Sequence, residues 1–378
     1  MSATAAPLAV GVPKEVKTEE HRVAITPDGV REITNHGVTV FIEQGAGLDS
    51  GISDDDYRTA GAEVLATAAE VWERAGLVLK VKEPQHDELA FLRPGLVLFT
   101  YLHLAAYPKV ADALLANATI GVAYETVQDR NGGLPLLAPM SEVAGRMAPQ
   151  IGAHFLEYRH GGRGVLLGGA PGVRAARVVV LGAGNVGWNA AWIAQGMEAE
   201  VLLLDRNLDR LRWVDQIHKG RIQTLASNRG AVERAVVTAD LLIGAVLVPG
   251  GRAPTLVSED LVRAMKPRSL IVDCAIDQGG CVEGIRETTH TEPVYERHGV
   301  VHYAVGNVPG AVPNTSTYAL TNATLPYAIE LAVRGVRDAI AADPALAGGV
   351  NTVGGHVTNA AVAEALERPF TELSEALA

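Results

Sequence analysis

Aromatic residues, cysteines and long hydrophobic runs are all scarce in this sequence, and each shortage excludes a class of protein. Aromatic side chains make up 5% of the chain, too few for an aromatic-rich binding sandwich. With 40 glycines, the composition favours aliphatic strands joined by tight turns. The two cysteines, Cys274 and Cys281, form no CxxC pair and have no matching Cys/His set nearby. Both read as reduced thiols, and neither a disulfide nor a metal site is expected. The most apolar stretch, residues 239–248, is far too short to span a bilayer. No charged segment followed by a long apolar core opens the chain, so no secretion signal or membrane partner is expected and the chain reads as cytoplasmic. Basic charge is also in deficit. Lys and Arg total 32 against 43 Asp and Glu, a formal net charge of -11. That balance argues against a nucleic-acid partner, because no basic excess exists to displace phosphate counterions. A small anion can still be held by a local pair of cations.

What remains is a globular chain of 378 residues, 48% hydrophobic and 20% charged, long enough for two domains. The first third alternates aliphatic runs with amphipathic segments, predicting strands over 8–12, 38–42, 77–81, 96–101 and 120–124. Pro27 after Thr26 suits a helix start, and Gly37 can close that helix in a left-handed conformation. Thr67 with Glu70, and more weakly Ser53 with Asp56, have the spacing of capping boxes, and Gly76 reads as a stop. A glycine-rich stretch at 161–169 precedes a second α/β series with strands over 177–181, 201–204, 241–246, 270–274 and 300–304. After Asn307 the pattern turns helical, mainly over 316–341. The expected fold class is therefore α/β, with two doubly wound domains.

Between the strand at 177–181 and a helical segment lies Gly182-Ala-Gly184-Asn-Val-Gly187. A bare GxGxxG says little, but here a strand precedes it, a helix follows, and Asp205 closes the next strand. Gly182 permits the tight turn, Gly184 lets backbone approach a pyrophosphate, and Gly187 lets helix and strand pack closely. The helix N-terminus presents free N–H groups to the phosphates. Asp205 stands roughly 20 residues on, where a carboxylate accepts hydrogen bonds from the adenosine ribose and repels the extra phosphate of NADP. NAD is the cofactor expected.

Five polar residues in strand-end settings are candidates for chemistry. Arg22 offers a guanidinium fork that matches a carboxylate in a bidentate way; a surface arginine is its other reading. Lys80 and Lys82 alternate about Val81, which predicts that both share one face as an anion site or that they merely end a strand. His103 ends an apolar strand and is suited to general acid–base work, or to a simple hydrogen bond. Asp277 follows the strand at 270–274 beside Gly279 and Gly280, where ligands bind in open α/β sheets, or where an Asx-turn sits.

Around these same residues the chain resembles the alanine dehydrogenases over nearly its whole length. The matching stretches include GVPKEVKTEEHRVAITP, LKVKEP, LFTYLHLA, AYETVQ, LPLLAPMSEVAG, VLGAGNVG, GAVLVPGG, DCAIDQGGC and VPNTSTYALTNATLPY. Several are long and chemically unusual, so the likeness goes beyond a Rossmann fingerprint. The resemblance implies that Arg22 and Lys82 bind the substrate carboxylate and carbonyl. It implies His103 as general acid–base and Asp277 as an aid to proton transfer. Cofactor contacts implied are Ser141, Asn185, Val186, Asp205, Arg210, Ser227, Val246, Leu247, Cys274, Ala275, Ile276, Asp277, Val305, Gly306, Asn307 and Val308, with the three fingerprint glycines. The implied architecture is a Rossmann NAD-binding domain, 136–313, inserted into a split catalytic domain, 1–135 with a helical 314–378. The implied activity is NAD-dependent interconversion of L-alanine with pyruvate and ammonium, in a homohexamer. Three other readings stay open: the NAD-binding part of a transhydrogenase, a saccharopine- or lysine-forming dehydrogenase, and a non-catalytic NAD sensor.

Overall fold

A computed structural model of the chain describes residues 7–246 and 253–378. The chain divides into two compact units, Met1–Met140 with Val312–Ala378, and Ser141–Ala311.

The first unit opens with six strands, β1 (Val10–Val12), β2 (Val40–Glu43), β3 (Glu63–Leu65), β4 (Leu77–Leu79), β5 (Val97–Thr100) and β6 (Ile120–Ala123). All pair in parallel, in the order β3-β2-β1-β4-β5-β6. The central β1, β4 and β5 are buried along their whole length, which is why they read as unbroken aliphatic runs instead of alternating ones. Helix punctuation follows local chemistry. Thr26 accepts the amide of Gly29, Pro27 takes the first helical position of Pro27–Asn35, and Gly37 follows at φ 75°. Both capping boxes form, at Ser53/Asp56 and at Thr67/Glu70. Gly76 is no left-handed stop, however. Helix Ala68–Arg74 leaves through Ala75 in an extended conformation, which feeds directly into β4.

The second unit contains β7 (Arg177–Leu181), β8 (Glu200–Asp205), β9 (Ile222–Ala226), β10 (Leu241–Gly244), β11 (Leu270–Asp273), β12 (Val294–Arg297) and β13 (Val300–Tyr303). Their order is β12-β13-β11-β10-β7-β8-β9, all parallel except β12 against β13. The order runs outward from β7 in both directions, so a switch point lies between β7 and β10.

After helix Pro313–Ala342, which bends at Gly335, the chain returns to the first sheet. β14 (Val350–Val353) pairs antiparallel with β6, and β15 (His356–Val357) with β14. The carboxyl-terminal segment is therefore not simply helical, as its periodicity suggests. Gly354 and Gly355, both at positive φ, make a two-residue hairpin turn. The other strands that the hydrophobic pattern misses, β3, β9 and β12, are short and partly exposed. Among the described residues no helix is long and apolar enough to cross a membrane.

Candidate active site

In the first sheet the order turns between β1 and β4. The segments leaving the carboxyl ends of β1, β4, β5 and β6 carry Arg22, Lys82, His103 and Glu125 respectively. Ligands of open parallel sheets bind at such a place.

Arg22 is only 2% exposed. Glu20 holds one edge of its fork, accepting from Nε at 2.7 Å and from Nη2 at 2.5 Å, and also accepts the Arg22 amide at 3.1 Å. Nη1 meets the Met140 sulfur at 3.0 Å, and a thioether is a weak acceptor. Burial opposes the charge on Glu20, but the guanidinium outweighs it and holds the carboxyl at about 2. The pair is thus a fixed cation and anion, with the fork oriented before any ligand arrives.

The two lysines after β4 have different fates. Lys80 is fully buried, with Nζ 3.0 Å from Glu15 Oε2 and 2.9 Å from Glu88 Oε1. Desolvation works against its charge, but the two carboxylates prevail and raise its pKa. Lys80 is therefore a structural ion, not half of an anion site. Backbone bonding to the β5 segment continues through Lys80 and Val81. However, β4 ends at Leu79 and the chain bends at Val81 and Lys82, so the strand alternation expected to put both lysines on one face no longer applies. Lys82 is only partly buried. Its backbone is fixed by Glu15, which accepts its amide at 3.4 Å, and by the Thr100 hydroxyl, which donates to its carbonyl at 3.0 Å. Its charge helps hold Glu20 ionised.

His103 adopts φ 45°, a conformation rare outside glycine that survives only where surroundings enforce it. Glu125 does the enforcing. Its carboxylate accepts the His103 amide at 2.6 Å and the Leu102 amide at 3.2 Å, and lies 3.9 Å from the imidazole Nδ1. The ring stacks on Tyr101, with centroids 5.6 Å apart and planes 3° from parallel. Tyr101 is in turn tied down by donating to the Leu136 carbonyl at 2.6 Å. The imidazole itself keeps 38% of its surface, so a rigid support presents a reachable ring. Sequence reasoning overlooked Glu20, Tyr101, Glu125 and Met140. Glu20 and Glu125 carried a faint signal, as carboxylates beside the ends of apolar runs.

In the second unit the fingerprint does what its spacing predicts. Gly182 has φ 103°, and a Cβ there would lie 2.5 Å from the Ala245 carbonyl oxygen; one on Gly187 would lie 1.7 Å from that of Gly182. Among the described residues, a Cβ on Gly184 would meet only Arg210 Nη1, at 3.8 Å. That leaves an open cradle at the start of helix Asn185–Gly196, whose first turn has no side-chain cap. Asp205 shapes the cradle by accepting the Ala183 amide at 2.6 Å and the Asn207 amide at 2.7 Å.

The other cofactor candidates gather around this cradle's sheet edge. Ser227, Val246, the Cys274–Ala275–Ile276–Asp277 segment and Val305 to Val308 follow the carboxyl ends of β9, β10, β11 and β13. Ser141 lies in helix Ala138–Phe155, and Leu247 falls outside the described residues. Asp277 is exposed on a short turn, Ile276–Gln278. That turn is built by buried Asp273, which accepts the amides of Ala275 at 2.9 Å and Cys281 at 2.8 Å, a role the sequence did not reveal. Cys274 and Cys281 are free thiols. Burial pushes Cys274 up to about 12 and Cys281 upward too, so neither is a poised nucleophile.

A parallel sheet with a glycine cradle at its switch point defines the second unit as a dinucleotide-binding domain, and the first presents a doubly wound sheet with a fixed cation–imidazole set. Family models described as "Alanine dehydrogenase/PNT, N-terminal domain" and "Alanine dehydrogenase/PNT, C-terminal domain" match residues 11–144 and 148–360. The chain belongs to the alanine dehydrogenase/PNT family. It is 55% identical over 369 residues to the alanine dehydrogenase of Methanococcus maripaludis, covering 97% of this chain and 99% of that one. Among solved structures, it superposes on an L-alanine dehydrogenase with a TM-score of 0.92 at 49% identity, covering 95% of this chain and 99% of that one. A transhydrogenase from Sinorhizobium meliloti gives a TM-score of 0.81 at 26% identity, covering 93% and 100% respectively.

Proposed function

We propose that the chain is an NAD-dependent L-alanine dehydrogenase, interconverting L-alanine with pyruvate and ammonium. The observation that carries this reading is the pre-set group of Arg22, Lys82 and His103 beyond one sheet edge, in a chain whose relatives bear that name along their full length. The residues fit NAD. The open cradle at Gly184 and the uncapped helix start suit a pyrophosphate, and the Asp205 carboxylate suits a ribose with free hydroxyls. When bound, the nicotinamide supplies or accepts the hydride.

The chain's own part is positioning and proton handling. Arg22, with one edge of its fork already held by Glu20, takes the carboxylate of pyruvate. Glu20 keeps the guanidinium from turning. Lys82 adds a second donor for the substrate's carbonyl oxygen, where negative charge grows during addition of ammonia. His103 moves protons at that oxygen and at the incoming nitrogen. Asp277, exposed and carried on the turn that Asp273 builds, is the residue assigned to assist proton transfer. Ser141, Asn185, Val186, Arg210, Ser227, Val246, Leu247, Cys274, Ala275, Ile276, Val305, Gly306, Asn307 and Val308 complete the dinucleotide contacts in this reading. Residues 1–135 and 314–378 then act as the substrate domain and 136–313 as the cofactor domain. The enzyme works in the cytoplasm as a homohexamer.

NADH consumption by the purified chain should require pyruvate and ammonium together. Turnover with a second nucleotide as hydride acceptor, and none with pyruvate, would instead identify a transhydrogenase-type half reaction. Replacing Arg22 by lysine keeps a charge but removes the fork, which Glu20 and substrate must share. The expected result is a KM for pyruvate raised about 10- to 100-fold, the loss of one to two charge-assisted hydrogen bonds, with the Kd for NADH unchanged. A pyruvate KM within a factor of about two of the parent, less than half a kcal/mol, would remove Arg22 from the substrate site.

A further inference from the structure

Away from the fingerprint, the second unit carries a side-chain cluster that the dehydrogenase reading does not use. Helix Ala138–Phe155 ends at His154-Phe155, and a short turn, Tyr158–His160, follows at once. The stretch reads His154-Phe-Leu-Glu157-Tyr-Arg-His160, three metal-capable residues at regular three-residue spacing. The fold brings them together, with one ligand atom from each of His154, Glu157 and His160 lying within 4.8 Å of the other two. The two imidazoles pack with centroids 3.9 Å apart.

The backbone holding them is fixed from several sides. Within the turn, the Glu157 amide donates to the His154 carbonyl at 3.3 Å and the His160 amide to that of Glu157 at 3.1 Å. The Gly164 amide donates to the Leu156 carbonyl at 2.7 Å. Arg268 clamps the turn by donating from Nε to the Gly161 carbonyl at 2.8 Å and from Nη2 to the Tyr158 carbonyl at 3.0 Å. His160 Nδ1 stands 3.0 Å from the His154 carbonyl. A proton on Nδ1 donated there leaves the lone pair on Nε2, the usual arrangement in which a backbone carbonyl fixes the tautomer of a metal-ligating histidine. The cluster also sits at the negative end of an 18-residue helix dipole, on a chain of net charge -11.

We propose that His154, Glu157 and His160 form a binding site for one divalent transition-metal ion, with Zn2+ and Ni2+ as its ligand class. Two imidazoles and a carboxylate match the borderline preference of these ions, whereas Mg2+ and Ca2+ favour all-oxygen sets. Bonds of about 2.0–2.2 Å to one ion place ligand atoms closer together than in the ion-free cluster. The exposed rotamers of His154 and Glu157 close that gap, and water fills the remaining positions. The ion displaces the solvent-exposed contact of Arg159 Nε with Glu157 Oε2, 3.1 Å, a pair of the kind that contributes little. Its effect is to tie the end of the helix to the turn that leads into the glycine-rich stretch.

Calorimetry of the full chain with Zn2+ alone should find one ion per chain. His154→Ala and His160→Ala should each weaken binding by roughly 100-fold, the upper range for disturbing a metal's surroundings. The melting temperature of the parent should rise with Zn2+ and that of the double variant should not. Because none of the three residues belongs to the proposed catalytic set, NADH turnover of the metal-free variants should match the parent, which also shows that they fold. Absence of stoichiometric Zn2+ binding to the parent overturns the site. So does binding that survives both substitutions, since the ion then sits elsewhere, for example at His103.

Discussion

Replacing His103 by alanine is expected to lower kcat for reductive amination about a thousand-fold, within the range that a positioned acid–base contributes. The structure supplies the reason for a loss that large. The imidazole is held in place by Glu125, which accepts two consecutive backbone amides, and by a parallel stack on Tyr101. Neither support can transfer a proton in its stead. Tyr101 is buried and donates to a backbone carbonyl, and burial pushes its pKa well above the ordinary range. The Glu125 oxygens are occupied by the same amides. His103 belongs to the first unit, outside the dinucleotide-binding fold, so the Kd for NADH is expected to stay the same. Stopped-flow turnover and NADH fluorescence titration on one preparation separate the two quantities. A His103→Ala enzyme that keeps a tenth or more of parental kcat would mean the proton moves by another route.

The second large effect concerns stability. Lys80→Met is expected to destabilise the first unit by about 3–5 kcal/mol, because it leaves buried carboxylates without their counter-charge. Glu15 and Glu88 are almost as buried as the lysine they flank. Glu15 also holds the backbone together by accepting the Val81 amide at 2.6 Å. Desolvation already raises the pKa of Glu15, with Lys80 the chief influence opposing it. Without the ammonium, one or both carboxyls must take up a proton or draw in water. Urea denaturation followed by tryptophan fluorescence reports the change, since Trp72 is fully buried in this unit. Adding Glu15→Gln and Glu88→Gln to Lys80→Met should recover much of the loss. A loss below about 1 kcal/mol for Lys80→Met, the scale of an exposed ion pair, would show that the triad does not carry the weight assigned to it.

The strongest features were legible because they depend on short-range chemistry. Gly182, Gly184 and Gly187 announce their backbone requirements wherever they stand between a strand and a helix, and caps such as Thr67 with Glu70 close within three residues. Lys80 and Lys82 mark where that legibility ends. Two like side chains flanking one valine look equivalent until the carboxylates that meet one of them are known, and those come from 65 residues before Lys80 and from a turn after it. The role of Glu125 was hidden for the same reason, since it matters through amides 22 and 23 residues earlier. β14 and β15 were missed although Gly354-Gly355 signalled a turn, because four- and two-residue strands give the hydrophobic period little room. Local sequence reports what a residue needs from its neighbours along the chain. It says less about which distant segment will arrive to supply it.

The return of the chain to the first sheet has a bearing on synthesis. Gly121 in β6 donates its amide to the hydroxyl of Thr352 in β14, 231 residues later. A nascent polypeptide emerging in order therefore exposes the bare margin of β6 through the whole time that the intervening unit is being made. The intervening unit, Ser141–Ala311, is contiguous and owes its sheet to no later segment. It is free to mature first, while the earlier strands wait for their last partners. Such distant pairings are slow to form, and an uncapped strand margin invites pairing with other chains. The vulnerable period in the life of this molecule thus falls before its carboxyl-terminal hairpin arrives.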